Sequence, residues 1–550
     1  MGTRAWLAAL AGLSLLAALL CWRAARAPLV ADEVEFVQTG PALWSGQGPV
    51  TCGGSGPETI LHHPQAFHLL LGALVSLTGG KPSPLLARLP GIVSLLLTLP
   101  LVASLARRLA GEGDPRAGPT AALLVATAPL ALQAAVTVDI DTTILVPALV
   151  GFLVLLCRRA LGEESRWLGP SVLGLAFGGL LWIKLPTPFL ATAALGLFGL
   201  ARPGRRRLAL DAVVITAVGS AAFVLSWTFF CWVHQLDPWA PLAHLAGRGA
   251  AHASLSSGVI AKRALRLALW VGPWLPLAAL LSMAAWRTGE EAAPARLLVT
   301  LFTLLGGLGY LFVGGEAYGF PRYHVPLLPA LAALAAAGLG RARSAAWLLG
   351  GAVLAYCMLV VGDPLLPAYT FAEGVAIGDQ PAAAVGGVVL AGLLWLLPGV
   401  ALAIAPRLGL ELRSVVLALA VSSGVALTIA QLHAGYSTTY LYGERGLEAA
   451  RARLAVLAPP AGLILAPKDV AFSSLACGGY RFAGRTLSSG GLRPLLEQDA
   501  LSLLVLRRGD LADASLSPAL QDPRVREILT AGFRQERVAD FLFYVRTVGP

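Results

Sequence analysis

Loops rich in arginine recur at alternate gaps between apolar segments, and this alternation constrains the fold of the chain more than any other feature. Arg107, Arg108 and Arg116 share one gap; Arg158, Arg159 and Arg166 lie two gaps further on; Arg202, Arg205, Arg206 and Arg207 follow at the same interval. Arg287 with Arg296, Arg341 with Arg343, and Arg407 with Arg413 continue the pattern. The intervening gaps hold Val138-Asp139-Ile140-Asp141 and the stretch 363–384, which has neither lysine nor arginine. Arginine collects on the cytoplasmic side of a membrane, so a chain that crosses at every apolar segment produces this alternation. Apolar residues supply 57% of the 550 residues and charged residues 13%, more apolar surface than a soluble fold of this length can use.

Counting segments of roughly 20 residues gives about thirteen spans. They fall near 5–22, 89–106, 119–136, 142–157, 167–183, 187–201, 208–230, 266–285, 297–314, 324–340, 344–362, 385–405 and 414–433. With the N-terminus cytoplasmic, every arginine-rich gap faces inward, and an odd count places the tail outside. The first segment, with Arg4 ahead of its apolar run, has some character of a cleaved signal peptide. Trp22, Arg23 and Arg26 crowd the would-be cleavage region, and the later alternation needs this helix, so an uncleaved anchor is expected. The chain thus reads as a polytopic α-helical membrane protein, a multi-span domain over 1–433 with a first outer loop at 23–88, followed by a domain at 434–550.

The net charge of +11 would suggest nucleic acid in a soluble chain, but here the arginines set orientation, and no nucleic-acid partner is expected. All eight histidines, at 62, 63, 68, 234, 244, 252, 324 and 433, map to outer loops or outer span ends. So do Asp32-Glu33-Val34-Glu35 and the Asp139/Asp141 pair. Carboxylates at a bilayer edge are costly unless they face water, pair with cations or perform chemistry. The outer face is where chemistry is expected, next to membrane lipid.

The tail differs in composition. It reads as a helix over 444–457, a strand over 463–466, a helical turn near Phe472, a strand over 501–506, a helix near 525–529 and a last strand over 541–545. Strands interleaved with helices predict a small extracytoplasmic α/β domain.

Several short motifs occur in a telling order: Ala31-Asp32-Glu33 after the first span, His63-Pro64 leading into an apolar helix, and Ala87-Arg88-Leu89-Pro90 opening the second span, which ends at Arg107-Arg108. Ile183-Lys184-Leu185-Pro186 follows the fifth span, and Arg322-Tyr323-His324-Val325-Pro326-Leu327-Leu328-Pro329 comes later. In this order the chain resembles GT-C-type membrane glycosyltransferases, the group of protein O-mannosyltransferases and the lipid A aminoarabinose transferase, over roughly 1–435. Where many relatives have Lys/Tyr-Pro-Pro-Leu, this chain has His62-His63-Pro64-Gln65.

The resemblance implies a GT-C fold and transfer of a sugar from a polyprenyl-phosphate donor to a lipid, glycan or protein acceptor outside the plasma (inner) membrane. A carboxylate must take the acceptor proton, with Asp32 first choice and Glu33 and Asp139 behind it. A helix start favoured by the dipole is the structural alternative for Asp32. Cations must meet the leaving phosphate, and Lys184 and Arg322, beside Tyr323, are the candidates. A lysine snorkelling to the interface accounts for Lys184 equally well. His62, His63 and Arg88 belong to the substrate loop. No cofactor is required, although Glu58, His62 and His63 are ligand types that suit a divalent metal. Cys52 and Cys477, both on the oxidising side, are open to pairing or to remaining thiols. A secondary transporter and a scaffold for the outer domain are the other function classes; charges at span ends and the lack of a repeat count against transport.

Overall fold

The computed structural model describes residues 3–26, 32–52, 57–79, 83–111, 114–163, 169–252, 291–313, 321–339, 446–457, 463–467, 480–482, 492–497, 501–507 and 517–547, with isolated positions elsewhere. The expected spans at 344–362 and 385–405, most of those at 266–285 and 414–433, the loop 363–384, and the turn near Phe472 lie outside the described residues. So do Cys477, His433 and the side chains of Cys52 and Glu58. The chain divides into two compact units.

The first unit comprises 1–24, 61–67 and 88–434. Its helices are α1 (Thr3–Arg26, which runs on past the unit's edge), α4 (Pro84–Ala110, which begins before 88), α5 (Ala117–Thr127), α6 (Pro129–Ala135), α7 (Leu145–Ala160), α8 (Pro170–Ile183), α9 (Pro186–Ala201), α10 (Arg206–Val233), α11 (Ala240–His252), α12 (Ala293–Val313) and α13 (Leu328–Leu339). Among the described residues three helices, α4, α10 and α12, are long and apolar enough to cross a membrane.

Two expected spans are each divided. The one expected at 119–136 breaks at Ala128, whose ψ of 128 is extended, because Pro129 disfavours a helical residue before it. The one expected at 324–340 opens as a 3-10 segment, Arg322–Leu327, since Pro326 lacks the N–H an α-helix needs.

Helices α8 and α10 meet where glycines let backbones touch. A Cβ added at Gly219 would lie 2.4 Å from the carbonyl oxygen of Gly174, and one at Gly178 would lie 2.9 Å from that of Gly219. Small residues permit such close approach, which replaces the absent hydrophobic drive between helices in lipid. Gly219→Val is expected to force the pair apart at a cost of about 1–3 kcal/mol. The check is a lowered thermal midpoint in lipid nanodiscs.

The second unit joins the tail, 435–550, to 25–60 and 68–87 of the first outer loop. That loop is more structured than its polar composition implied: α2 (Asp32–Trp44), a hairpin of β1 (Val50–Cys52) and β2 (Pro57–Thr59), and α3 (Ala66–Leu77), which starts just outside the unit. Gly40 of α2 and Gly72 of α3 pack backbone to backbone, a Cβ at Gly72 falling 2.2 Å from the Gly40 oxygen.

In the tail are α14 (Leu447–Leu457), β3 (Leu463–Ala466), β4 (Tyr480–Phe482), α15 (Leu492–Glu497), β5 (Leu501–Arg507), α16 (Ser517–Gln521), α17 (Pro523–Gly532), β6 (Phe533–Val538) and β7 (Phe541–Arg546). The sheet order is β4-β3-β5-β7-β6, with β3 parallel to β4 and β5, and β7 antiparallel to β5 and β6. Leu465, Leu504, Leu506, Val525, Leu529 and Phe533 form its core. Strands β4 and β6 and the short helices α15 and α16 were not expected from the sequence. Strand β6 alternates too many charges (Arg534, Glu536, Arg537) to show an apolar period.

Candidate functional site

Among the described residues of the first unit, the sharpest concentration of buried charge forms where three chain breaks meet. One is the turn between α6 and α7. Its shape is held by side-chain hydroxyls: Thr142 Oγ1 donates to the Thr137 carbonyl at 2.9 Å, and Thr143 Oγ1 donates to that of Asp139 at 2.8 Å. The Asp139 carboxylate accepts from the backbone N–H of Asp141 at 2.8 Å, capping a short 3-10 turn. These bonds aim two carboxylates inward, each 2% exposed.

The second break is at Lys184. It ends α8 in extended conformation (φ −153, ψ 132), and α9 restarts at Pro186. Its Nζ donates to Asp141 Oδ2 at 2.8 Å. The third break is the 3-10 segment after α12, where the Arg322 guanidinium donates to the Asp139 carboxylate. Lys184 and Arg322 are each 4% exposed. Two carboxylates and two cations therefore close a buried cluster of zero formal charge. Burial is the strongest influence on Asp139 and lifts its carboxyl above the ordinary range, against the pull of the Arg322 guanidinium. For Lys184 burial acts downward, but the Asp141 carboxylate, Tyr323 and Asp139 outweigh it and hold the ammonium charged.

Aromatic rings pack against the cations. Lys184 Nζ lies 4.8 Å from the Tyr323 ring centre and the Arg322 guanidinium carbon 5.4 Å from it, within cation–π range. Tyr310 of α12 lies 5.5 Å from Tyr323, centre to centre, and its hydroxyl shares a 2.6 Å hydrogen bond with that of Thr187. The structure thus gathers four of the residues singled out in the sequence: Asp139, Lys184, Arg322 and Tyr323. It adds Asp141, Tyr310 and Thr187. Asp141 was visible as the second member of an i, i+2 acidic pair; Tyr310 and Thr187 carry no signal in a single sequence.

The other candidates lie elsewhere. Arg88, fully buried in α4, donates to the carbonyl of Ala24 at 3.1 Å. His62 stacks on His244 with ring centres 4.0 Å apart, and His63 meets the same ring edge-on at 5.9 Å. Among the described residues no three His, Cys, Asp or Glu side chains converge as a metal site. Asp32 and Glu33 belong to the second unit, in the first turn of α2, Asp32 partly exposed and Glu33 fully buried.

Comparison with solved structures is decisive for the architecture. The chain is similar to ArnT from Cupriavidus metallidurans bound to undecaprenyl phosphate, with 16% identity, 100% of each chain covered and a TM-score of 0.63. The fold is that of GT-C membrane glycosyltransferases. The apo state of the same ArnT matches at 17% identity and a TM-score of 0.60, covering 100% of this chain and 99% of that one. The archaeal oligosaccharyltransferase AglB from Archaeoglobus fulgidus, in complex with an inhibitory peptide and a dolichol-phosphate, shares the GT-C fold at 12% identity. That match covers 98% of this chain and 74% of AglB, with a TM-score of 0.53. The family model described as dolichyl-phosphate-mannose-protein mannosyltransferase matches residues 62–232, which include Asp139, Asp141 and Lys184. No curated protein matches the chain.

Proposed function

We propose that the chain is a glycosyltransferase that moves a sugar from a polyprenyl-phosphate donor to a lipid, glycan or protein acceptor on the outer face of the plasma (inner) membrane. The observation that carries this reading is the buried Asp139–Arg322 and Asp141–Lys184 cluster, set within a GT-C fold. ArnT, the relative bound to undecaprenyl phosphate, supports the donor class.

In this reading Lys184 and Arg322 meet the phosphate as its charge grows toward the transition state. At rest their charges are answered by Asp141 and Asp139, so an arriving phosphate competes with those carboxylates for the same donors. Tyr323 keeps both cations against an apolar face, where a charged hydrogen bond is stronger than in water. Asp139, already accepting from Arg322 and from the Asp141 N–H, suits holding a cation better than accepting a proton. Asp32 takes the acceptor proton, with Glu33 the reserve. His62, His63 and Arg88 shape the substrate loop.

The test is transfer by the purified chain in nanodiscs from radiolabelled polyprenyl-phosphate sugars to envelope extract. Mass spectrometry of envelope glycolipids and glycoproteins with and without the chain accompanies it. Label that stays in the donor fraction, with envelopes that do not differ, rejects the reading. Orientation is tested by reporters fused after Gly204, expected in the cytoplasm, and after His433, expected outside. Both on one side would overturn the topology.

A further inference from the structure

The tail domain holds a cleft of about 530 Å³ lined by both apolar and hydrogen-bonding side chains. Its floor comes from the sheet: Leu506 at the end of β5, Phe533 and Gln535 of β6, and Tyr544 of β7. Gln535 and Tyr544 are paired across the β6–β7 ladder, so their side chains stand together on one face. Its wall comes from two short helices. Leu520 and Gln521 end α16, and Arg526, Leu529 and Thr530 project from one face of α17 at i, i+3 and i+4 spacing. The corner between those helices is fixed by Asp522, whose carboxylate accepts from the Arg524 N–H at 2.8 Å, with Pro523 opening α17.

We infer that this cleft binds a saccharide unit, neutral or bearing one acidic group. A pyranose presents C–H faces that need an apolar or aromatic floor, and the half-buried Tyr544 ring supplies one, backed from beneath by the buried Leu506 and Phe533. Its rim of hydroxyls both donates and accepts, which the two amides, Gln521 and Gln535, and the Thr530 hydroxyl match from exposed positions. Among the described residues Arg526 is the one charged side chain in the lining, and none there is a carboxylate. A single cation is too little for a nucleotide or polyphosphate. The polar, open rim is wrong for a lipid tail, which would leave that rim unsatisfied. The volume lies within the usual range for small-ligand pockets. The inference deepens the proposed glycosyl transfer, since a sugar-binding cleft on the tail domain would recruit a glycan acceptor, but the binding itself does not depend on that reading.

The experiment is saturation-transfer NMR on the full chain in lipid nanodiscs, because alkyl glycoside detergents would compete for the cleft. The probes are methyl α-mannoside, methyl β-glucoside, N-acetylglucosamine and glucuronic acid. At least one is expected to receive saturation from aromatic protons. The Gln521→Ala/Gln535→Ala variant, which changes two exposed side chains, is expected to weaken binding about 10-fold through the loss of two hydrogen bonds. Thr530→Trp, which fills the cleft, is expected to abolish it. Lys184→Met/Asp141→Asn, which removes both members of the buried pair and strands neither charge, serves as the control for sugar held in the first unit and is expected to leave the signal unchanged. No transfer to any probe overturns the proposal. So does a signal that survives Thr530→Trp, or one that disappears only with Lys184→Met/Asp141→Asn. Sugar binding without transferase activity would uphold the cleft and sink the enzyme reading; transfer without sugar binding in the cleft would do the reverse.

Discussion

Arg322→Ala is expected to leave the protein poorly folded, and adding Asp139→Asn is expected to recover the fold without recovering sugar transfer. The guanidinium is the direct partner of a carboxylate that is 2% exposed. Removing one member of a buried ion pair strands the other charge away from water, at a cost of about 3–5 kcal/mol. Neutralising both members removes that penalty, and such replacements are often close to neutral for stability. Thermal unfolding in nanodiscs reads the first effect, and transfer from a polyprenyl-phosphate sugar reads the second. The single variant should also depend on pH in a defined sense. Without Arg322 the strongest influence lowering the Asp139 carboxyl is gone, and burial with the neighbouring Asp141 carboxylate raises it against the weaker pull of Lys184 and the Asp141 N–H. The folded variant then holds the proton more tightly than the unfolded chain. Its stability is therefore fully present below the unfolded pKa and is lost as pH rises through the raised folded one. The deficit against the parent should shrink on going from about pH 8 to pH 5. A double variant that transfers sugar at the parental rate would reduce Arg322 to a structural role.

How much of this was legible in sequence differs by element. Helices ended by proline or arginine loops were found to within a few residues: 187–201 was expected and Pro186–Ala201 is observed, 208–230 was expected and Arg206–Val233 is observed. The same reasoning failed inside apolar runs, where composition does not change but backbone geometry does, as at Ala128 and over Arg322–Leu327. The first outer loop looked polar because its helices, α2 and α3, are short and α2 begins with three acids, yet a Gly40–Gly72 crossing packs them tightly. No periodicity reports such a crossing.

For the site, the motif resemblance singled out Lys184 and Arg322, and the acidic pair on the outer side brought in Asp139. Their pairing was not legible, because it depends on three breaks distant in sequence meeting at one place. Sequence suggested two cations waiting for a phosphate. The structure shows the same two cations already engaged by Asp141 and Asp139, so that under the proposed function donor binding becomes an exchange of anions.

Asp32→Asn is the second large effect expected: a loss of transfer of about 10²–10⁴-fold, the contribution of a positioned general base, with little change in stability. The choice of asparagine matters. Asp32 begins α2, with Glu33 and Glu35 in the same first turn, so a carboxylate there also answers the helix dipole, worth about 0.3–1 kcal/mol. Asparagine is nearly as good as aspartate at starting a helix but cannot take a proton from a hydroxyl at neutral pH. The substitution therefore keeps most of the structural role and deletes the chemical one. Asp32→Ala would confuse the two, and Glu33→Gln would disturb a side chain that is fully buried. Asp32→Glu, which keeps the base but moves it by one methylene, should retain part of the activity. If Asp32→Asn unfolds at the parental temperature and turns over at the parental rate, Asp32 is a helix start and nothing more. The base would then have to be sought at Glu33, by a substitution paired with a partner change that keeps its burial satisfied.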